Sequence, residues 1–236
     1  MASKIRWIIL LFLIFNLFLT GCALKHKIKY SVDDIQPQRN ELLSGKILNI
    51  DLFEDIRSQF PENKILFEQP RETKINGERV CINSEDNYAT EVIPVQITNM
   101  VVAHFKKRGT FGEVTIDGKG NTDFKLTGKI KRLYSKHTFS MAKAVGASFG
   151  LIGVLATFGI ETPAEVEIII TDIKLYGKDS ELIKTLNDVE ERFNGNQKAD
   201  AYCWSPYFLV DLKFRNVVEN IANQVDRAVI EYGQRQ

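Results

Sequence analysis

Residues 124–131, Phe-Lys-Leu-Thr-Gly-Lys-Ile-Lys, decide how the rest of the chain folds. Apolar or small side chains alternate with polar ones along this stretch, which is typical of a strand with one face in the core and one face in water. Residues 164–176 hold a second set of spaced aliphatic side chains and are predicted to be a matching strand. The two strands indicate a domain built on a mostly antiparallel sheet.

Two amphipathic helices are predicted to cover this sheet. The first is capped by Thr90 and stops at Gly109, with the basic residues 106–108 at its carboxyl end, where positive charge complements the helix dipole. The second starts at Ser205-Pro206 and ends at Gly233. We therefore expect an α+β domain with both helices packed on one face of a mostly antiparallel sheet.

Shorter runs complete the predicted order of elements. Further strands are expected at residues 46–53, 64–68, 113–116 and 181–187. Residues 69–89 are polar and irregular and are predicted to form a long loop with a turn at Asn76-Gly77. Residues 188–200 are predicted to be a polar crossover without a strand.

A glycine-rich apolar insertion, residues 141–160, separates the two best strands. It has no charged side chain between Lys143 and Glu161, and alanine and glycine recur in it at four-residue spacing, which lets helices approach closely. A single membrane crossing at residues 144–160 is excluded, because it would place two strands of one sheet on opposite sides of a bilayer.

Three uses of this insertion stay open. It could cover the sheet edge, dip into a membrane, or contact a partner, and exposed apolar patches of this size usually mark an interaction. The side chains expected to make a membrane or partner contact are Val145, Phe149, Leu151, Ile152, Val154, Leu155 and Phe158.

The first 21 residues have the layout of an export signal. A positive start at Lys4 and Arg6 is followed by an apolar run, residues 7–18, which is shorter than the ~20 apolar residues that a spanning helix needs. The run leads to Leu19-Thr20-Gly21-Cys22, which resembles the lipobox of bacterial lipoprotein precursors. The resemblance implies a diacylglyceryl group on the Cys22 sulfur, cleavage before Cys22 and acylation of the new amino terminus. An uncleaved membrane helix is the alternative.

Cleavage at this point divides the chain into three predicted parts. They are a signal peptide (1–21), a lipidated N-terminus and tether (22–45), and a single α+β domain (46–236). Several acyl chains, palmitate among them, would hold the protein firmly at a membrane. Ala23 resembles the residue that sends enterobacterial lipoproteins to the outer membrane, so the periplasm-facing outer membrane is favoured over the inner membrane.

Cysteine usage fits an oxidising compartment. With Cys22 lipidated, Cys81 and Cys203 remain and are predicted to form one disulfide bond. Two unpaired buried cysteines are the alternative, because sequence does not show whether the two Cα atoms lie within about 7 Å of each other.

Charge and motifs exclude several function classes. The chain has 31 basic and 30 acidic residues, with no basic excess to suggest nucleic acid. It contains no nucleophile elbow, zinc-protease motif, phosphate loop or dinucleotide fingerprint. His104 has no second His or Cys at metal-ligand spacing on its helix and is expected at the edge of the core. We therefore predict no catalytic residue, no metal and no cofactor.

The order of elements from residue 19 to residue 236 is similar to that of the small lipoproteins that serve bacterial envelope transport and assembly systems. The resemblance implies a non-catalytic accessory subunit, held at the membrane by Cys22, that docks other envelope proteins or associates with itself. One alternative is an oligomer that inserts residues 144–159 into the membrane as part of a pore. A further alternative is a periplasmic hydrolase with an unrecognised site.

Overall fold

The structure of the chain is a computed structural model. It describes much of the predicted domain and part of the predicted tether. The described residues are 30–38, 40–60, 72–75, 78–83, 92–118, 122–138, 160–198 and 208–235, with isolated positions between 140 and 159.

The described residues form an α+β domain with a nine-stranded mixed sheet and two long helices, as predicted. The strands are β1 (Ile47–Ile50), β2 (Glu54–Asp55), β3 (Glu72–Ile75), β4 (Glu78–Asn83), β5 (Glu113–Ile116), β6 (Phe124–Thr138), β7 (Glu161–Tyr176), β8 (Leu182–Thr185) and β9 (Val189–Lys198). The helices are α1 (Ile93–Arg108) and α2 (Phe208–Gly233).

Strand β6 is the axis of the sheet. One of its edges pairs in turn with β1 and β2, both parallel, and then with β4, antiparallel. Its other edge pairs antiparallel with β7 from Lys125↔Tyr176 to His137↔Ala164. The far edge of β7 carries β8 and β9, also antiparallel, and β5 extends the sheet beside β1 as a second parallel pair. The two strands that the sequence predicts as a pair, β6 and β7, therefore form the longest hairpin among the described residues.

Helix α1 forms where the apolar spacing predicts it. It ends at Gly109, whose φ of 68° lies in the left-handed region that glycine adopts easily, and the Gly109 N–H donates to the Phe105 carbonyl. Its start differs from the prediction, because Val92 rather than Thr90 occupies the N-cap position and makes no side-chain cap. A proline in the first turn fixes a helical φ there at no cost in hydrogen bonds.

The core lies between the helices and one face of the sheet. Helix α1 packs against β5 and β2, α2 packs against β7 and β9, and the helices contact each other. Phe105 and Phe214 are fully buried between them. Gly128 on β6 leaves room for the Phe53 ring, which lies 3.0 Å from the position that a Cβ would occupy.

Two predicted loops prove wrong. Within residues 69–89 the chain forms the antiparallel pair β3–β4, and within residues 188–200 it forms β9, a ten-residue strand on the edge of β7. The predicted strand 64–68, the turn Asn76-Gly77 and the helix start at Ser205-Pro206 lie outside the described residues. Within the described part of the chain, no helix is both long enough and apolar enough to span a membrane.

Candidate functional site

The apolar insertion closes the β6–β7 hairpin. Residues 139–160, which we call the hairpin tip, follow the last paired positions, His137↔Ala164. At this end the sheet is five strands wide, because His137 also pairs with Cys81 of β4 and Ala164 also pairs with Gly195 of β9. The tip is therefore carried by a broad, fully hydrogen-bonded support.

Four large apolar side chains of the tip face water. Val145 is 52% exposed, Phe149 74%, Ile152 81% and Leu155 65%. They are spaced four, three and three residues apart, the backbone is helical at Val145, Ile152 and Leu155, and the Phe149 N–H donates to the Gly146 carbonyl at 3.0 Å. Phe149 itself lies in a turn between these helical positions. The three other predicted contact residues, Leu151, Val154 and Phe158, lie outside the described residues.

This exposure distinguishes the tip from the rest of the described surface. Elsewhere the large apolar side chains that face water are dispersed, namely Leu42, Leu52, Val92, Ile116 and Leu182. A cover for the sheet edge would bury its apolar side chains against the strands. The exposure of the four tip residues therefore favours a contact with a membrane or a partner.

Hydrogen bonds and ion pairs join β6 to β7 close to the tip. The Tyr134 hydroxyl donates to Glu165, and the Lys136 ammonium lies 2.6 Å from the same carboxylate. Burial raises the pKa of Tyr134, and the contact with Glu165 raises it further. Next to them, Arg132 Nε lies 2.8 Å from a carboxylate oxygen of Glu167 and forms an ion pair with it. These contacts join β6 to β7 through partly and fully buried side chains and stiffen the hairpin.

The described part of the predicted tether lies against the domain at the other end of the sheet. Residues 30–38 and 40–45, which we call the strap, bury Ile35 and Leu43. The Gln38 N–H donates to the Arg108 carbonyl at 2.7 Å, and the Gly112 N–H donates to the Leu43 carbonyl at 3.2 Å. The strap therefore joins the carboxyl end of α1 to the start of β1.

Arg108 is the centre of this attachment. Its buried guanidinium lies 3.0 Å from an Asp226 carboxylate oxygen, and its Nη2 donates to Asn223 Oδ1 at 2.8 Å and to the Gln38 side chain. Burial raises the pKa of Asp226 to about 6, against the opposing effect of the Arg108 charge. One buried cation thus holds the strap, α1 and α2 together.

His104 completes the attachment one turn earlier on α1. Its Nδ1 lies 2.6 Å from the Tyr30 hydroxyl oxygen, while its Nε2 is buried and has no partner among the described residues. Burial lowers the pKa of His104 to about 4, helped by the positive charges of Arg108 and Arg215, and burial raises the pKa of Tyr30 to about 12. Both groups are therefore uncharged at neutral pH.

A cavity of about 190 Å³ lies between the strap and the helices. It is lined by His104 and Arg108 of α1, Arg215 and Glu219 of α2, and strap residues from Asp34 to Gln38. Arg215 is paired with Asp34 at 3.1 Å, and Arg108 is paired with Asp226. Among the described residues there is also no group of three His, Cys, Asp or Glu side chains that could hold a metal ion. The polar groups around this cavity therefore hold the strap in place.

The predicted cysteine sites are described only in part. Cys81 on β4 is fully buried and disulfide-bonded. Its predicted partner Cys203 and the predicted lipidation site Cys22 lie outside the described residues. The pairing of Cys81 with Cys203 stays a prediction.

Comparison with known proteins shows distant structural similarity. Protein XCC0632 from Xanthomonas campestris, of family DUF330, has 12% identity over 84% of this chain and 95% of its own, with a TM-score of 0.44. The PelC dodecamer from Paraburkholderia phytofirmans has 8% identity over 78% of this chain and 91% of its own, with a TM-score of 0.32. No family model and no curated protein sequence matches the chain. None of these similarities assigns a family or a function.

Proposed function

We propose that this chain is a non-catalytic, lipid-anchored accessory module of the bacterial cell envelope that docks on other envelope components through the hairpin tip. The observation that carries the proposal is the exposure of Val145, Phe149, Ile152 and Leu155 within eleven residues of chain. The proposed anchor is Cys22, eight residues before the first docked residue of the strap, Tyr30.

The exposure of these four side chains costs free energy in the isolated chain. Fully burying one large aliphatic or aromatic side chain contributes about 1.5–3 kcal/mol, so four side chains that are 52–81% exposed forgo on the order of 4–8 kcal/mol. The same domain buries comparable side chains of α2 completely, for example Phe214 and Ile221. A surface that leaves this much apolar area in water is best explained by a contact made outside the isolated chain.

The non-catalytic part of the proposal is supported by the strap cavity. A general base or nucleophile must face a site that substrate can enter. Here His104 and Asp226, whose pKa values burial shifts, are engaged with Tyr30 of the strap and with Arg108, which also contacts the strap. Their pKa shifts follow from burial between packed elements, which is also common in structural clusters.

Labelling in cells tests the anchor. Bacteria that express the full chain are grown with radioactive palmitate, and the wild-type protein is compared with the Cys22→Ser variant. We expect label and membrane fractionation for the wild type and no label for the variant, because only a thiol accepts the diacylglyceryl group. Equal labelling of the two proteins would contradict the proposed anchor.

A second function is favoured by the same exposed side chains. Several copies could associate and insert residues 144–159 as part of a pore. The acylated protein would then release a dye trapped inside vesicles at a rate that rises steeply with protein concentration. A monomeric protein that releases no dye would rule this function out.

A further inference from the structure

We propose that the hairpin tip inserts into the bilayer that carries the lipid anchor, so that the domain is attached at both ends and lies along the membrane. This inference rests on the proposed lipidation of Cys22. It names the lipid bilayer as the component on which the tip docks.

The two attachment points lie at opposite ends of the domain. The strap meets the start of β1, and the start of β6 lies there too, because the Asp123 N–H donates to the Ile47 carbonyl at 3.1 Å and the Ile47 N–H donates to the Asp123 carboxylate at 2.9 Å. From this end β6 runs for 15 residues before it reaches the tip. At about 3.3 Å per residue, the strand separates the start of β1 from the tip by about 45 Å. Tyr30, where the linker from Cys22 meets the domain, contacts His104 one helical turn from that end, so about 40 Å separates Tyr30 from the tip.

The length of chain between Cys22 and the strap limits how the domain can be oriented on the membrane. Eight residues lead from Cys22 to Tyr30 and span at most about 28 Å. When the tip touches the anchoring bilayer, the strap end is therefore at most about 28 Å above it. With Tyr30 about 40 Å from the tip, the hairpin axis then lies within about 45° of the membrane plane. The short linker is long enough for this arrangement.

The composition of the tip fits lipid better than protein. Between Lys143 and Glu161 the side chains that can form hydrogen bonds are Ser148 and Thr157. Protein interfaces form about one hydrogen bond per 100–200 Å² and have a polar rim, whereas the acyl region of a bilayer offers no such partners. The tip would enter one leaflet only, because β6 and β7 pair in one sheet and a single crossing would place them on opposite sides of the bilayer.

Fluorescence quenching by brominated lipids tests the insertion. The acylated full chain carrying Phe149→Trp is bound to dilute vesicles of phosphatidylethanolamine and phosphatidylglycerol with brominated acyl chains. The matched control is Leu182→Trp, because Leu182 is also half-exposed but lies on β8, next to the end of β7 opposite the tip. Protein without the added tryptophan serves as the blank, since Trp204 also fluoresces. Circular dichroism confirms that both variants fold.

We expect at least twofold quenching of the tryptophan at position 149 and none at position 182. Absence of quenching at 149 in vesicle-bound protein would overturn the insertion and leave the lipid anchor standing. Equal quenching at both positions would contradict the proposal that the tip specifically contacts the bilayer. A rise in light scattering would show that the tip enters a second vesicle, which contradicts attachment to one bilayer. Failure of the protein to bind vesicles would instead contradict the anchor itself.

Discussion

The strap attachment and the hairpin tip depart from ordinary protein surfaces in opposite ways. At the strap, polar side chains such as Arg108 and His104 are buried. At the tip, apolar side chains such as Phe149 and Ile152 face water. Both arrangements cost free energy relative to the usual distribution of residues.

The two regions differ in whether the chain itself offsets that cost. Arg108 Nη2 finds Gln38, Asn223 and Asp226 within hydrogen-bond reach, so its charge is paired inside the domain. Phe149 and Ile152 have no such compensation in the described part of the chain. We infer that the strap attachment serves the fold, whereas the tip serves a contact outside it.

The largest loss of stability is expected from Arg108→Met. The substitution leaves the Asp226 carboxylate buried without its cation, which costs about 3–5 kcal/mol for a buried pair. Urea unfolding at pH 7.5 measures this loss. The double variant Arg108→Met/Asp226→Leu removes both charges and should recover most of it. A loss below about 1 kcal/mol for the single variant would show that the pair does not hold the strap.

The next effect is a change in how stability depends on pH. Asp226 has a folded pKa of about 6, above its ordinary 3.8, so the stability it contributes is present below pH 3.8 and is lost as pH rises through 6. His104 has a folded pKa of about 4, below its ordinary 6.5, so its contribution is present above pH 6.5 and is lost as pH falls toward 4. Between pH 6 and pH 4 the two contributions oppose each other.

Replacing Asp226 or His104 should reveal the pH dependence of stability that the other residue contributes. From pH 6.5 to pH 4.5 we expect the unfolding free energy of Asp226→Asn to fall more steeply than that of the wild type, because His104 is then unopposed. His104→Gln should show a shallower fall or a rise. Urea unfolding at three pH values in this interval measures both slopes. Three parallel curves would contradict the assigned roles of Asp226 and His104.

Periodicity was enough to predict the central elements. The alternation in β6 and the helical spacing in α1 arise because each buries one face. Strand β6 begins at the predicted residue, Phe124, but continues to Thr138, past the predicted end at residue 131. Strand β9 has no such signal. Val189 is buried but most of the following side chains are partly or fully exposed, because β9 is an edge strand held mainly by backbone hydrogen bonds to β7. A polar edge strand resembles a loop when read from sequence alone.

The strap could not be predicted for a related reason. It buries Ile35 and Leu43, and its other attachments are hydrogen bonds and ion pairs to residues far along the chain, such as Arg108 and Arg215. Single polar residues that meet only in the folded state leave no periodic pattern. The composition of the tip, by contrast, is visible in the sequence, but its exposure depends on where the β6–β7 hairpin ends.

The smallest loss of stability is expected at the tip. In the variant Phe149→Asp/Ile152→Asp both side chains already face water, so the free energy of unfolding should change by no more than about 0.5 kcal/mol. Urea unfolding of this double variant, measured in parallel with Arg108→Met, compares the two losses of stability directly. A loss of 2 kcal/mol or more would show that the tip packs against the domain.

Vesicle flotation tests the central claim most directly. The mature chain is prepared with Cys22→Ser, so that no acyl chain contributes, and is mixed with excess vesicles of phosphatidylethanolamine and phosphatidylglycerol. We predict that the protein with an intact tip floats with the vesicles and that the protein with Phe149→Asp/Ile152→Asp stays at the bottom of the gradient. Equal distribution of the two proteins would contradict a membrane-binding tip.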